Sequence, residues 1–120
     1  MRKVIEDTAA AFGATATLEY NYMTVPVIND AKLTQIAQGA ATKLFGADSL
    51  VPLAPAMGSE DFSWFGESGV PYVYAFIGSY NEKFGPRYSN HHEKYDVDEA
   101  ALERGTGMLV QFAVDFLAEG

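Results

Sequence analysis

The sequence predicts an α/β domain in which helices cover a largely buried sheet. Three observations carry that expectation. Residues 14–22 alternate, with Ala14, Ala16, Leu18, Tyr20 and Tyr22 on one side and Thr15, Thr17, Glu19 and Asn21 on the other. That is the pattern of a strand with one wet face. Val70–Ile77 is apolar on both faces and reads as a buried strand. Two longer stretches, 31–45 and 99–118, carry apolar residues at helical spacing.

The elements follow in order. Val4, Ile5, Thr8, Ala9 and Phe12 put a helix over 2–12, with Gly13 as its C-cap and no capping residue ahead of it. After the strand at 14–22, Pro26 interrupts extended pairing, and Asn29 or Asp30 can cap the next helix. That helix buries Leu33, Ile36, Ala37, Ala40, Leu44 and Phe45, and Gly46 closes it. Leu50–Leu53 is a short apolar segment, followed by a Pro/Ala/Gly loop over 54–58. Ser59 is placed to cap a short helix over 60–66, with Glu60 and Asp61 in its first turn where the helix dipole favours anions. Trp64, Phe65, Tyr72, Tyr74 and Phe76 read as core around the second strand. Residues 78–95 form a long polar loop, and loops of that length without periodicity are more often functional than idle. Asp96 or Asp98 caps the last helix, whose inner stripe is expected at Leu102, Leu109, Phe112, Ala113 and Phe116.

Composition narrows the function classes. A length of 120 residues fits one domain or part of a larger one, and 48% hydrophobic content is enough for a core. Sixteen acidic residues against eight basic ones give a net charge of −8. Nucleic acid and anionic membrane surfaces both need clustered Lys and Arg, so neither is expected as a partner. The absence of cysteine excludes disulfides, thiolate zinc sites and cysteine nucleophiles. No apolar run reaches a membrane span and no signal-peptide core is visible, so a cytoplasmic protein is expected.

Chemistry-bearing groups concentrate in two segments, Met57–Ser63 and Asn90–Glu99. The second holds the only histidines, His91 and His92. Neighbouring side chains on an extended chain point apart, so the pair is a poor joint chelator. One reading leaves both as exposed loop residues; the other makes one of them a metal ligand. A zinc site needs at least three protein ligands, and without cysteine Glu60 and Asp61 would have to help. In the first segment capping alone explains Ser59, Glu60 and Asp61. The alternative is that the turn at Gly58 and Ser59 offers N–H groups and a hydroxyl to a carboxylate or carbonyl ligand.

At these segments the chain resembles the C-terminal part of zinc-dependent amidohydrolases of the aminoacylase, hippurate hydrolase and indole-acetyl-amino-acid hydrolase group of metallopeptidases. The resemblance rests on Met57-Gly58-Ser59-Glu60-Asp61-Phe62 before an apolar strand, and on His91 through Glu99 opening the last helix. The Phe12-Gly13-Ala14 turn and Pro26–Asp30 add to it. It implies that residues 1–27 are the last helix and strand of a lid (dimerisation) domain, and that 28–120 are the C-terminal portion of the catalytic domain. It implies a divalent metal, zinc first and manganese second, with His91 as one ligand. Gly58, Ser59, Glu60 and Asp61 would lie on the substrate side, and the substrate would be an N-acyl amino acid. A homo-oligomer is expected. The chain departs from the pattern at His92-Glu93, where the family has Ser-Pro or Asn-Pro. The family's other ligands and its catalytic glutamate have no counterpart here, so the chain is expected to be a fragment, inactive alone. Two other readings compete. One is a stand-alone α/β binding or oligomerisation domain. The other is an independent hydrolase built on His91, His92, Glu60 and Asp61.

Overall fold

The computed structural model describes residues 1–119. Four helices appear: α1 (Arg2–Ala11), α2 (Ala31–Phe45), the short α3 (Trp64–Glu67) and α4 (Ala100–Ala118). Three 3-10 turns lie at Ala47–Ser49, Asp61–Ser63 and Glu82–Phe84. Among the described residues no strand forms.

The expected sheet is therefore corrected. A sheet needs a repeated ladder of backbone hydrogen bonds between neighbouring strands. Residues 14–22 gain none of these. The segment after Val70 receives a single backbone bond from the chain before α2, from Asp30 N–H to the Tyr72 carbonyl at 2.9 Å. Side chains make the remaining links there. Asn29 Nδ2 donates to the Tyr74 carbonyl at 3.0 Å, and Tyr74 N–H donates to Asn29 Oδ1 at 2.8 Å. Ile28 N–H donates to the Tyr72 hydroxyl at 2.9 Å. One asparagine thus does for residue 74 what a paired strand would do. Nor is the apolar run buried as expected: Tyr72 is buried, but Phe76 is 64% exposed.

Helix ends follow local chemistry closely. α1 stops in a Schellman turn, with Gly13 at φ 70° and bonds from Gly13 N–H to the Ala10 carbonyl and from Ala14 N–H to the Ala9 carbonyl. Asp30 caps α2 by accepting from Leu33 N–H at 2.8 Å, and Gly46 ends it at φ 85°. The 3-10 turn at Asp61–Ser63, which leads into α3, is capped by Glu60 rather than Ser59: the Glu60 carboxylate takes Phe62 N–H at 3.1 Å. Asp98 serves α4 by accepting from Ala100 N–H at 3.0 Å.

The packed centre of the molecule is the α2–α4 pair. Ile36, Ala37 and Ala40 are buried on α2. On α4 the half-buried face runs through Ala101, Gly105, Met108, Phe112 and Asp115. Leu102, Leu109 and Phe116 of the expected stripe are exposed instead. Gly105 faces Ile77 and Gly107 faces Leu44, where a Cβ would meet their side chains at 4.0 and 3.9 Å, ordinary van der Waals contact. Lys43 Nζ then reaches Asp115 Oδ1 at 2.6 Å across the pair.

Candidate metal-ligand turn and substrate-side loop

Two local structures carry the residues singled out by sequence. The first is the loop entering α3. Gly58 and Ser59 are exposed and lie outside any helix, and Asp61 is an exposed residue at the start of the 3-10 turn. Glu60 is half-buried and committed on both oxygens. One accepts from Phe62 N–H, and the other accepts from the Tyr74 hydroxyl at 2.8 Å. Ser63, fully buried, donates from its hydroxyl to the Glu60 carbonyl at 2.8 Å. These bonds set the charge state. The Phe62 N–H first, and the Tyr74 hydroxyl second, hold the Glu60 carboxyl below the usual carboxylate range. The same bond to Glu60 pushes the Tyr74 phenol up.

Aromatic packing fixes the loop from below. Phe62 meets Tyr72 edge-to-face at 5.5 Å, and also lies against Phe65 and Tyr74. Trp64 Nε1 donates to the Met23 carbonyl at 3.1 Å, which ties the extended chain after α1 to this turn. By local pattern Tyr74 reads as core and Asn29 as a helix cap. Their roles as anchors come from long-range pairing that no local pattern encodes.

The second structure is the histidine turn. His92 N–H donates to the Ser89 carbonyl at 3.1 Å, closing a turn with Asn90 and His91 at its centre. His91 is the one non-glycine residue at positive φ among the described residues, at 69°. A negative φ followed by a positive one is the type II arrangement, which favours Gly at the second position. Holding a histidine there costs roughly 1–2 kcal/mol. Residues kept in such conformations cluster at functional sites. The His91 ring is exposed and takes part in no hydrogen bond among the described residues. His92 differs: its Nδ1 accepts from Lys94 N–H at 3.0 Å, and its ring stacks on Tyr88 at 4.5 Å between centroids.

A zinc ion needs at least three protein ligands. Among the described residues, no group of three or more His, Cys, Asp or Glu side chains is gathered where one ion could sit. The four-residue site of His91, His92, Glu60 and Asp61 is therefore not assembled. The described residues do not close a metal shell. Among the same residues, no helix is long and apolar enough to cross a membrane.

Comparison with known proteins now decides the family. The model of peptidase family M20/M25/M40 matches residues 3–115. The chain belongs to this family. Similar proteins carry the names of hydrolases. One is IAA-amino acid hydrolase ILR1-like 4 of Arabidopsis thaliana, 31% identical over 78% of this chain and 21% of its own length. Another is thermostable carboxypeptidase 2 of Saccharolobus solfataricus, 30% identical over 97% of this chain and 29% of its own. N-acetyl-L-cysteine deacetylase of Bacillus subtilis is 27% identical over 92% of this chain and 24% of its own. The chain thus spans between a fifth and three tenths of the length of these relatives.

Proposed function

We propose that this chain is the C-terminal portion of a metal-dependent amidohydrolase that cleaves the amide bond of N-acyl amino acids, and that it is inactive alone. The observation that carries the reading is the His91 turn. An imidazole with no hydrogen-bond partner among the described residues is held at positive φ in a chain of the M20/M25/M40 family. His91 supplies one donor to a divalent ion, zinc before manganese, whose remaining ligands lie outside these residues. Such an ion, when bound, polarises an amide carbonyl and lowers the pKa of a bound water.

This chain's own part is positional. Gly58 and Ser59 present an exposed loop to the substrate's carboxylate end. Glu60 does not reach outward, because both its oxygens are engaged, so it anchors that loop through Tyr74 and Phe62. Asp61 remains the exposed carboxylate beside it. With a net charge of −8 and no cysteine, a small-molecule substrate in the cytoplasm suits the chain better than nucleic acid or a membrane. Extensive exposed apolar surface supports a working form that is larger than this chain, including a homo-oligomer.

The test is a hybrid in which residues 3–115 replace the matching segment of thermostable carboxypeptidase 2. It is expected to hydrolyse N-acyl amino acids, with His91→Ala lowering turnover by about a hundredfold, since even outer-shell partners are worth 10–100-fold. The purified 120-residue chain is expected not to turn over hippurate. Chelator-sensitive turnover by that chain alone, abolished by His91→Ala, overturns the inactivity. A hybrid indifferent to His91→Ala overturns the ligand role.

A further inference from the structure

Helix α4 has a face that no described residue covers. Leu102, Thr106, Leu109, Ala113 and Phe116 are all exposed. They recur at steps of four and three residues, the spacing of a seam between two helices. Successive helix residues turn by about 100°, so this row centres roughly 100° around the helix from the side that meets α2. α4 therefore has room for α2 and a second helix at once. Phe116 joins the two sides, because its ring stacks on that of half-buried Phe112, 6.3 Å between centroids. The row itself carries no charge; Glu103, Arg104 and Asp115 lie elsewhere on the helix.

We propose that this row is the seam of a two-fold dimer, in which α4 packs antiparallel against α4 of a second copy of the chain. This rests on the homo-oligomer reading and deepens it by naming the surface. A two-fold contact must be complementary to itself. The row meets that condition because large and small side chains alternate along it. An antiparallel fit sets Thr106 opposite the second copy's Leu109, and Leu102 opposite its Ala113, so that each bulky side chain meets a small one. The same orientation puts the N-terminus of one helix beside the C-terminus of the other, where their dipoles attract. Area allows it. The chain exposes 10033 Å², against about 6,300 Å² for a compact protein of this mass, and a stable dimer needs roughly 800 Å² from each copy. Charge points the same way. Two copies at −8 each repel, and an uncharged seam lets them meet without setting like charges face to face.

The experiment is sedimentation velocity on the full 120-residue chain across a wide range of concentration. Monomer and dimer are expected in exchange, with added salt favouring the dimer because it screens the like charges. Leu109→Lys is expected to weaken the dimer at least about tenfold, since it buries a charge without a partner. Leu109→Met, which keeps size and character, is expected to leave it unchanged. So is Leu53→Lys, a control in a loop. Leu109 is 73% exposed and Leu53 70%, so neither change opens the core, and circular dichroism checks that each variant keeps its helices. The chain has no cysteine, so an introduced one reports alone. Leu109→Cys, near the two-fold axis, is expected to be joined across the dimer by a short bis-maleimide. Leu102→Cys is not, because the antiparallel fit sets it roughly 16 Å along the axis from its counterpart. A dimer indifferent to Leu109→Lys, weakened equally by Leu53→Lys, or joined through Leu102→Cys overturns the seam and leaves the homo-oligomer reading standing. A monomer at every concentration overturns both. Thermostable carboxypeptidase 2 lacking its matching segment, added in excess, is expected to leave the dimer intact. If it displaces the second copy from α4, and Leu109→Lys blocks that exchange, the row belongs to the remainder of a longer chain and the proposal fails.

Discussion

Gly66 sits so close to Tyr72 that a Cβ built on it would lie 2.7 Å from ring atom Cε1. Tyr72 cannot easily yield, because its hydroxyl receives Ile28 N–H and its ring meets Phe62 edge-on. Gly66→Ala is therefore expected to destabilise the chain by about 1–3 kcal/mol, the usual cost of overpacking, as read by urea denaturation. Glu60 gives a prediction with a sign. Its carboxyl is held below its ordinary pKa, by Phe62 N–H first and Tyr74 second. Its contribution to loop order is therefore fully present above the ordinary carboxyl pKa and is lost as pH falls through the lowered value. Phe62 amide exchange followed across acid pH should show that loss. Tyr74→Phe should move the loss to higher pH, since one of the bonds lowering the pKa is gone. At this scale sequence gave partial guidance. Asp30 and Gly46 were legible because caps are local. Glu60 displaced Ser59 as cap because its longer side chain is steered by Tyr74, 14 residues away.

Helices α2 and α4 form the element on which stability rests. Ile36→Ala removes a buried side chain from their contact and is expected to cost about 2 kcal/mol. That is the low end of the range, because few layers surround the site and it can collapse. The Lys43–Asp115 pair adds a pH signature. Lys43 above all, then Gln111, holds the Asp115 carboxyl low. The stabilisation it gives is complete above the unfolded carboxyl pKa and disappears as acid titrates the folded group. Asp115→Asn should flatten the acid limb of the stability–pH curve, measured by thermal melts at several pH values. The bounds of both helices could be read from periodicity and caps. The buried face of α4 could not, because apolar residues lie on more than one side of it. Size points to Leu102 and Leu109 as inner, but both are exposed, and the half-buried side carries Gly105 and Gly107 instead. The two stretches read as strands form none among the described residues. Alternation reports which sides of a chain differ, not whether a neighbour arrives.

The whole molecule is far from compact. Its radius of gyration is 20.6 Å, against about 14 Å for a compact domain of this length. Its accessible surface is 10033 Å², against about 6,300 Å² expected for this mass. The excess is several times the roughly 800 Å² that one partner contributes to a standard interface. Purified alone, the chain is expected to bind a hydrophobic dye and to elute from gel filtration as species that grow with concentration; a monomer at all concentrations that binds no dye counts against this. One joint in this open shape supplies its own gauge. The chain has a single tryptophan, and its indole N–H is bonded to Met23. If the arm leading from α1 lifts off, that one fluorophore loses its acceptor and meets more water. A red shift in emission, with no label attached, would report the detachment long before the helices melt.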